Sequence, residues 1–294
     1  MSKYPLSILA ASGAAGDAQH IPNFFIVGAP KAGTTSLYYY LDQHPEVFMC
    51  PVKEANHFAS EIRPEGFAEH LQGRVRREIK ATRKYLAGPM SEKRFGAIGL
   101  EWDEYLRLFR NVKREKAIGE ASVCYLWSQT AAQNIAARIP AAKIVMILRD
   151  PVERAFSQYM QWASQGEVGE SFLEVCHKSI ANTGGKFQWM SPFLEMGLYA
   201  EQVKRYLDLF PRQNILIYLY EDYVRDPEGV LKETFRFLDV NAAFRPDLST
   251  RHLVPKGHRR VMDNRDKSSL REFYREDVQK LSTILGRDLY GWIT

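Results

Sequence analysis

The most constraining stretch is residues 23–57. An apolar run, Phe24 to Val27, reads as a buried strand and ends at Gly28-Ala29-Pro30-Lys31-Ala32-Gly33-Thr34-Thr35. A helical pattern follows, with Leu37, Tyr40 and Leu41 on one face. Strand, small-residue turn and helix start form the geometry that holds a phosphate. The helix N-terminus and the turn's backbone N–H groups carry partial positive charge, and small residues let a ligand approach the backbone. Lys31 adds a full charge. The Walker A pattern needs lysine directly after its second glycine. Here Thr34 follows Gly33 and the lysine sits inside the loop. An ordinary βα turn is the plainer alternative, but strand, Lys31, Gly33, paired threonines and helix together favour a phosphate site.

The rest of the chain repeats the strand–helix alternation. A short strand entering a loop is expected over 116–126, and a helix over 129–139, stopped by Pro140. Lys143 to Leu148 is a continuous apolar run, as a central parallel strand should be. Asp150 and Pro151 suit the cap and first position of a helix reaching about Ala163. Further helices are expected over 171–180, 199–209, 227–238 and 268–285, with a strand over 214–220. This is an α/β chain: one domain over 22–294 with a mostly parallel central sheet flanked by helices, preceded by a flexible tail over 1–21. Ligands of such sheets bind beyond the carboxyl ends of the strands. Three polar clusters fall there, at 31–35, 120–122 and 149–150, and are expected to meet in one crevice.

Lys plus Arg number 40 against 35 Asp plus Glu, a net +5 that suits an anionic ligand and is too small to argue for nucleic acid. Cys50, Cys124 and Cys176 are far apart and make no C-x-x-C, which argues against a disulfide framework or a zinc site and for a reducing, cytoplasmic setting. No apolar run approaches the roughly 18 residues of a membrane span. Arg74, Arg76, Arg77, Lys80, Arg83 and Lys84 lie in a stretch with few apolar positions. It reads as a solvated helix or loop, or else as the basic wall of an anionic acceptor site.

Two further segments carry chemistry. In Arg149-Asp150-Pro151-Val152-Glu153-Arg154-Ala155-Phe156-Ser157, an arginine fork at a strand end and a hydroxyl on the next helix can grip one phosphate from two sides. Alternatively Arg149 pairs with a local carboxylate and Ser157 faces the core. Lys53-Glu54-Ala55-Asn56-His57-Phe58 places a charged pair and a histidine beside apolar residues, which by itself is as well explained by a surface ion pair.

Pro30-Lys31-Ala32-Gly33-Thr34-Thr35-Ser36-Leu37 after an apolar strand resembles the 5′-phosphosulfate loop of sulfotransferases that use 3′-phosphoadenosine 5′-phosphosulfate (PAPS). The segment from Arg149 to Ser157 resembles the 3′-phosphate motif of the same family, and Lys256-Gly257-His258-Arg259-Arg260 its Lys-Gly-Arg loop, with His258 where arginine is usual. Lys53-Glu54-x-x-x-Phe58 is similar to the Lys-Glu-x-His-Phe-Phe segment of glycan-directed members such as the heparan sulfate sulfotransferases, and Gly119-Glu120-Ala121-Ser122-x-x-Tyr125 to their Glu-Lys-Thr-Pro-x-Tyr stretch, with Ala121 in place of the lysine.

The resemblance implies a P-loop-like, nucleotide-binding sulfotransferase fold. It implies a donor site made of Lys31, Ala32, Gly33, Thr34, Thr35, Ser36, Arg149, Ser157 and the 256–260 loop. Glu54 is the implied general base. His57, one residue beyond the family's histidine, is a second acid/base candidate. The implied reaction moves a sulfuryl group from PAPS to an acceptor hydroxyl, releasing PAP, with no metal. A carbohydrate acceptor is favoured, with a lipid or polyketide alcohol as the alternative. Two readings from other classes stand beside it: an ATP-dependent P-loop-like kinase, and a non-catalytic anion- or nucleic-acid-binding protein using the basic 74–84 stretch.

Overall fold

Residues 143–148, apolar from Ile144 onward, lie at the interior of a sheet and Ile144 to Leu148 are solvent-free. The structure is a computed structural model, and it describes residues 20–181, 192–249 and 262–294. The extended segments among them are β1 (Phe24–Gly28), β2 (Val47–Met49), β3 (Val52–Lys53), β4 (Arg94–Phe95), β5 (Ala117–Ala121), β6 (Lys143–Leu148) and β7 (Ile215–Leu219). Five of them form one sheet in the order β2-β5-β1-β6-β7, and every pairing is parallel. β3 and β4 pair separately, also in parallel.

Helices connect and cover the strands: α1 (Thr34–Asp42), α2 (Gln72–Ala87), α3 (Trp102–Leu106), α4 (Cys124–Trp127), α5 (Ala131–Arg138), α6 (Pro151–Ser164), α7 (Phe172–Ala181), α8 (Tyr199–Leu209), α9 (Tyr220–Arg225), α10 (Pro227–Phe237) and α11 (Asn264–Leu285). Buried apolar residues from Phe24 to Ile293 join in one cluster. α11 closes it with Leu270, Tyr274, Val278 and Leu281, and the Tyr274 hydroxyl donates to the Leu194 carbonyl at 2.8 Å.

The strand order puts β1 between β5 and β6, with Ile26 beside Ala121 on one side and Val145 on the other. The loops leaving β1, β5 and β6 therefore emerge together at the carboxyl edge. β1 and β5 pack closely enough that a Cβ on Gly119 would come within 2.2 Å of the Phe24 ring. α6 starts as its sequence suggests: the Asp150 carboxylate accepts from the N–H groups of Val152 (2.8 Å) and Glu153 (3.2 Å), and Pro151 opens the helix.

Some elements depart from the sequence expectation. The segment after β5 turns into α4 rather than a loop, with Cys124, Tyr125 and Leu126 buried. β2, β3 and β4 span two or three residues each, too short to show a period of their own. The 74–84 stretch is helical within α2, which buries Val75, Thr82 and Leu86.

Candidate active site

The 28–35 segment joins β1 to α1 as a tight turn of small residues. Gly33 precedes α1 with a left-handed φ of 85°, and no side chain caps the helix. A Cβ at Gly33 would also lie 2.9 Å from the Tyr223 ring, so both backbone and space require glycine. The N-terminus of α1 faces a cavity of about 970 Å³. Lys31, Gly33, Thr34, Thr35 and Ser36 line it, together with Arg149, Ser157, Lys53 and Glu54. Ala32 is fully buried behind the loop and adds no lining.

Lys31 reaches across the mouth of the loop, donating from Nζ to Gln161 Oε1 of α6 at 2.7 Å. Burial, then the charges of Arg149, Arg154 and Lys53, push the Lys31 ammonium down to about 8. A bound anion would relieve that repulsion. Arg149 donates from Nη1 to the Lys31 carbonyl at 2.9 Å, and its guanidinium lies 4.7 Å from the Tyr220 ring centre. It is thereby attached to the loop and stacked on an aromatic ring. Ser157 stands two turns into α6 on the same cavity wall.

Glu54 stands among these cations. One carboxylate oxygen pairs with Lys53 Nζ, and the other accepts from the Val123 N–H at 2.8 Å. Lys53 is 3 % exposed and Glu54 20 %, so the pair is held from below while the carboxylate reaches the cavity. Each oxygen keeps a free lone pair for a proton.

His57 does not join this group. It borders a small separate crevice with Arg63 and Glu101. Its Nδ1–H donates to the Leu100 carbonyl at 2.8 Å, and the ring stacks on Tyr105 at 4.5 Å. Burial lowers its pKa, so the neutral ring is favoured. His57, expected from the resemblance as a second acid/base group, thus lies apart from the cavity that Lys31 and Glu54 share. Left-handed backbone at Glu54 (φ 65°) and Asn56 (φ 58°) turns the chain between the two side chains.

The expectation for the cluster at 120–122 is corrected. It lies sealed under the crevice, with Glu120 and Ser122 fully buried. The Glu120 carboxylate accepts from the hydroxyls of Ser122 at 2.5 Å, Tyr125 at 2.6 Å and Tyr105 at 3.4 Å. Ser122 Oγ in turn accepts from the Asn56 N–H at 3.0 Å, and the Tyr125 hydroxyl from the Phe58 N–H at 3.3 Å. The network thus supports the backbone that carries Glu54. Asp150 is also buried, as the cap of α6. The 256–260 loop lies outside the described residues.

Burial lifts Glu120 to about 7 against the lowering effect of the Ser122 and Tyr125 hydroxyls. A folded-state carboxyl above its ordinary value holds a proton that the unfolded chain releases, so its stabilising contribution is present at low pH and fades as pH rises through about 7. Glu120→Gln is therefore expected to flatten the fall in stability between pH 5 and 7.5, measured as urea midpoints. Asp150 and Asp277, each raised to about 6 by burial, would leave a residual slope. An unchanged slope in the variant would refute the assignment.

Lys53, Gln161 and Tyr220 were not singled out from the sequence as site residues. Gln161 had a usable signal, since it lies one helical repeat (four residues) beyond Ser157 on α6. Tyr220 had none beyond closing an apolar strand.

The family model described as "Sulfotransferase family" matches residues 22–244. A solved sulfotransferase from Alicyclobacillus acidocaldarius is 35% identical, superposes with a TM-score of 0.77, and is covered in full by 94% of this chain. The sulfotransferase domain from the curacin biosynthetic pathway, 16% identical with a TM-score of 0.52 over 92% of this chain and all of that one, shares the fold. Among curated proteins, the membrane-associated sulfotransferase kil1 of Dictyostelium discoideum is 25% identical over 92% of this chain and 66% of its own length. Human carbohydrate sulfotransferase 15 is 25% identical over 93% of this chain and 55% of its own length. This chain thus spans between about half and two thirds of those two relatives. The match runs from the phosphate loop past β7, through every element that walls the cavity with Lys31 and Glu54, and the chain belongs to the sulfotransferase family.

Proposed function

We propose that this protein transfers a sulfuryl group from PAPS to a carbohydrate hydroxyl. The observation that carries the reading is that the cationic phosphate loop and the Glu54 carboxylate line one cavity, with Arg149 and Ser157 on its wall. The names of curated relatives support the acceptor class: carbohydrate sulfotransferase 15, and a mouse bifunctional heparan sulfate N-deacetylase/N-sulfotransferase that is 26% identical over 93% of this chain and 31% of its own length.

In this reading Glu54 removes the acceptor's hydroxyl proton as its oxygen bonds to sulfur. The bond from sulfur to the 5′-phosphate oxygen breaks in line. Lys31 and the amides at the start of α1 meet the charge that grows on that oxygen. Arg149 and Ser157 hold the 3′-phosphate and so position the donor at a distance from the reacting atoms. The free, buried thiols of Cys50, Cys124 and Cys176 support a cytoplasmic setting.

PAP is expected to raise the melting temperature by linkage, while ATP with Mg²⁺ does little. Adenosine 5′-phosphosulfate, which lacks the 3′-phosphate, is expected to bind about ten- to a hundredfold more weakly than PAPS, the scale of a charge-assisted contact pair. Arg149→Ala should erase most of that difference. Equal affinity for the two donors in the wild type would sink the 3′-phosphate assignment. Transfer of labelled sulfate to a glycan panel tests the reaction itself.

A further inference from the structure

The cavity continues beyond the donor residues along a wall with a different chemistry. Its volume of about 970 Å³ lies near the top of the roughly 300–1,000 Å³ range of single-ligand pockets. Away from the phosphate loop it is lined by Leu71, which is half-buried, and by the edges of Ile62, Phe67, Val75 and Ile98, from the segment between β3 and α3, and of Met160 of α6, all five themselves buried in the core. The Phe95 ring also lines the cavity and is 56 % exposed, which leaves an apolar surface open to an incoming ligand.

The charges of α2 show what this wall is not built for. Leu71, just before the helix, and Arg74, Val75 and Glu78 face the cavity on one helical stripe. Glu78 is ion-paired with Arg94. Arg76, Arg77, Lys80, Arg83 and Lys84 are exposed and line no part of the cavity. Reading a polyanionic glycan would need several such cations on the acceptor side. The helix turns these five outward and leaves Arg74 as the one cation of the stretch on the cavity side, beside Leu71, Val75 and the paired Glu78.

Resting on the transfer reading above, we propose that the acceptor is an amphiphile. Its hydroxyl-bearing head, a sugar, meets Glu54, and its apolar body lies along the Ile62–Val75–Ile98 wall. The substrate class is a neutral glycoside carrying an alkyl or lipid chain, rather than a free or sulfated polysaccharide.

The test titrates methyl, butyl, hexyl and octyl β-glucosides, below micelle concentration, into the full chain by calorimetry, with and without PAP. Affinity is expected to climb by up to about fourfold per added methylene until the wall is covered. Leu71→Glu, with PAP binding as the check on folding, is expected to flatten that climb. Equal affinity for methyl and octyl glucosides overturns the inference, as does tighter binding of a sulfated heparan hexasaccharide than of octyl glucoside. Either result leaves the donor site standing, because PAP binding is measured in the same protein. Loss of PAP binding instead overturns the donor reading, and the chain-length series on the free protein still decides the acceptor wall.

Discussion

Lys31→Ala is expected to lower kcat by about a hundred- to a thousandfold, the scale seen when one preorganised charge-stabilising donor is removed. PAP affinity should fall much less. Most of the lysine's effect comes from charge that develops on the leaving phosphate oxygen during transfer, and PAP retains the contacts to Arg149, Ser157 and the α1 amides. The depressed Lys31 pKa, about 8, adds a pH signature. The working form is the cation, present below that value. The rate at limiting donor should therefore fall as pH rises through about 8 in the free enzyme. Bound donor, being anionic, favours the charged form, so the limb in kcat should sit higher. A kcat unchanged in Lys31→Ala would remove the loop from the chemistry.

Glu54→Gln is expected to cost about a hundredfold or more in rate, the scale of general-base catalysis. The amide keeps the shape and one acceptor oxygen but cannot take a proton. PAP affinity should stay near wild type, since the contacts assigned to the donor are made by Lys31, the α1 amides, Arg149 and Ser157 and not by Glu54. His57→Ala is the control. Its ring stacks on Tyr105 and its nitrogen is bound to the Leu100 carbonyl, so its loss should cost stability, about 0.5–1.5 kcal/mol for an aromatic pair, and leave turnover nearly intact. Near-normal turnover in Glu54→Gln with a dead His57→Ala would reverse the assignment. Normal turnover in both would place the base elsewhere.

The strands β1 and β6 and the helix starts that follow them were legible because they depend on local chemistry. Phe24 to Val27 and Ile144 to Leu148 are continuous apolar runs, and the structure makes both central strands with no solvent contact. Asp150-Pro151 is a capping signal complete within four residues. The phosphate loop needs only Gly33, Lys31 and the start of α1, all adjacent in the chain. Burial periodicity and capping act over a few residues, so they can be read without a partner.

The acceptor side depended on contacts across long separations. Glu54 and His57 are three residues apart, yet one faces the cavity and the other an aromatic stack, because two left-handed backbone angles lie between them and Tyr105 offers a ring about fifty residues on. Gln161 acquires its role from Lys31, 130 positions away. The basic stretch at 74–84 has the composition of an anion-binding wall, but α2 can bury only one stripe. Burial of Val75, Thr82 and Leu86 and the ion pair of Glu78 with Arg94 of β4 leave the stripe of Leu71, Arg74, Val75 and Glu78 on the cavity side. The order of residues determined the family, the parallel sheet and the small-residue turn that opens α1. Which side chains share the cavity with that loop was decided by tertiary packing, because the rotation of a helix and the direction of a left-handed turn are set by what they pack against.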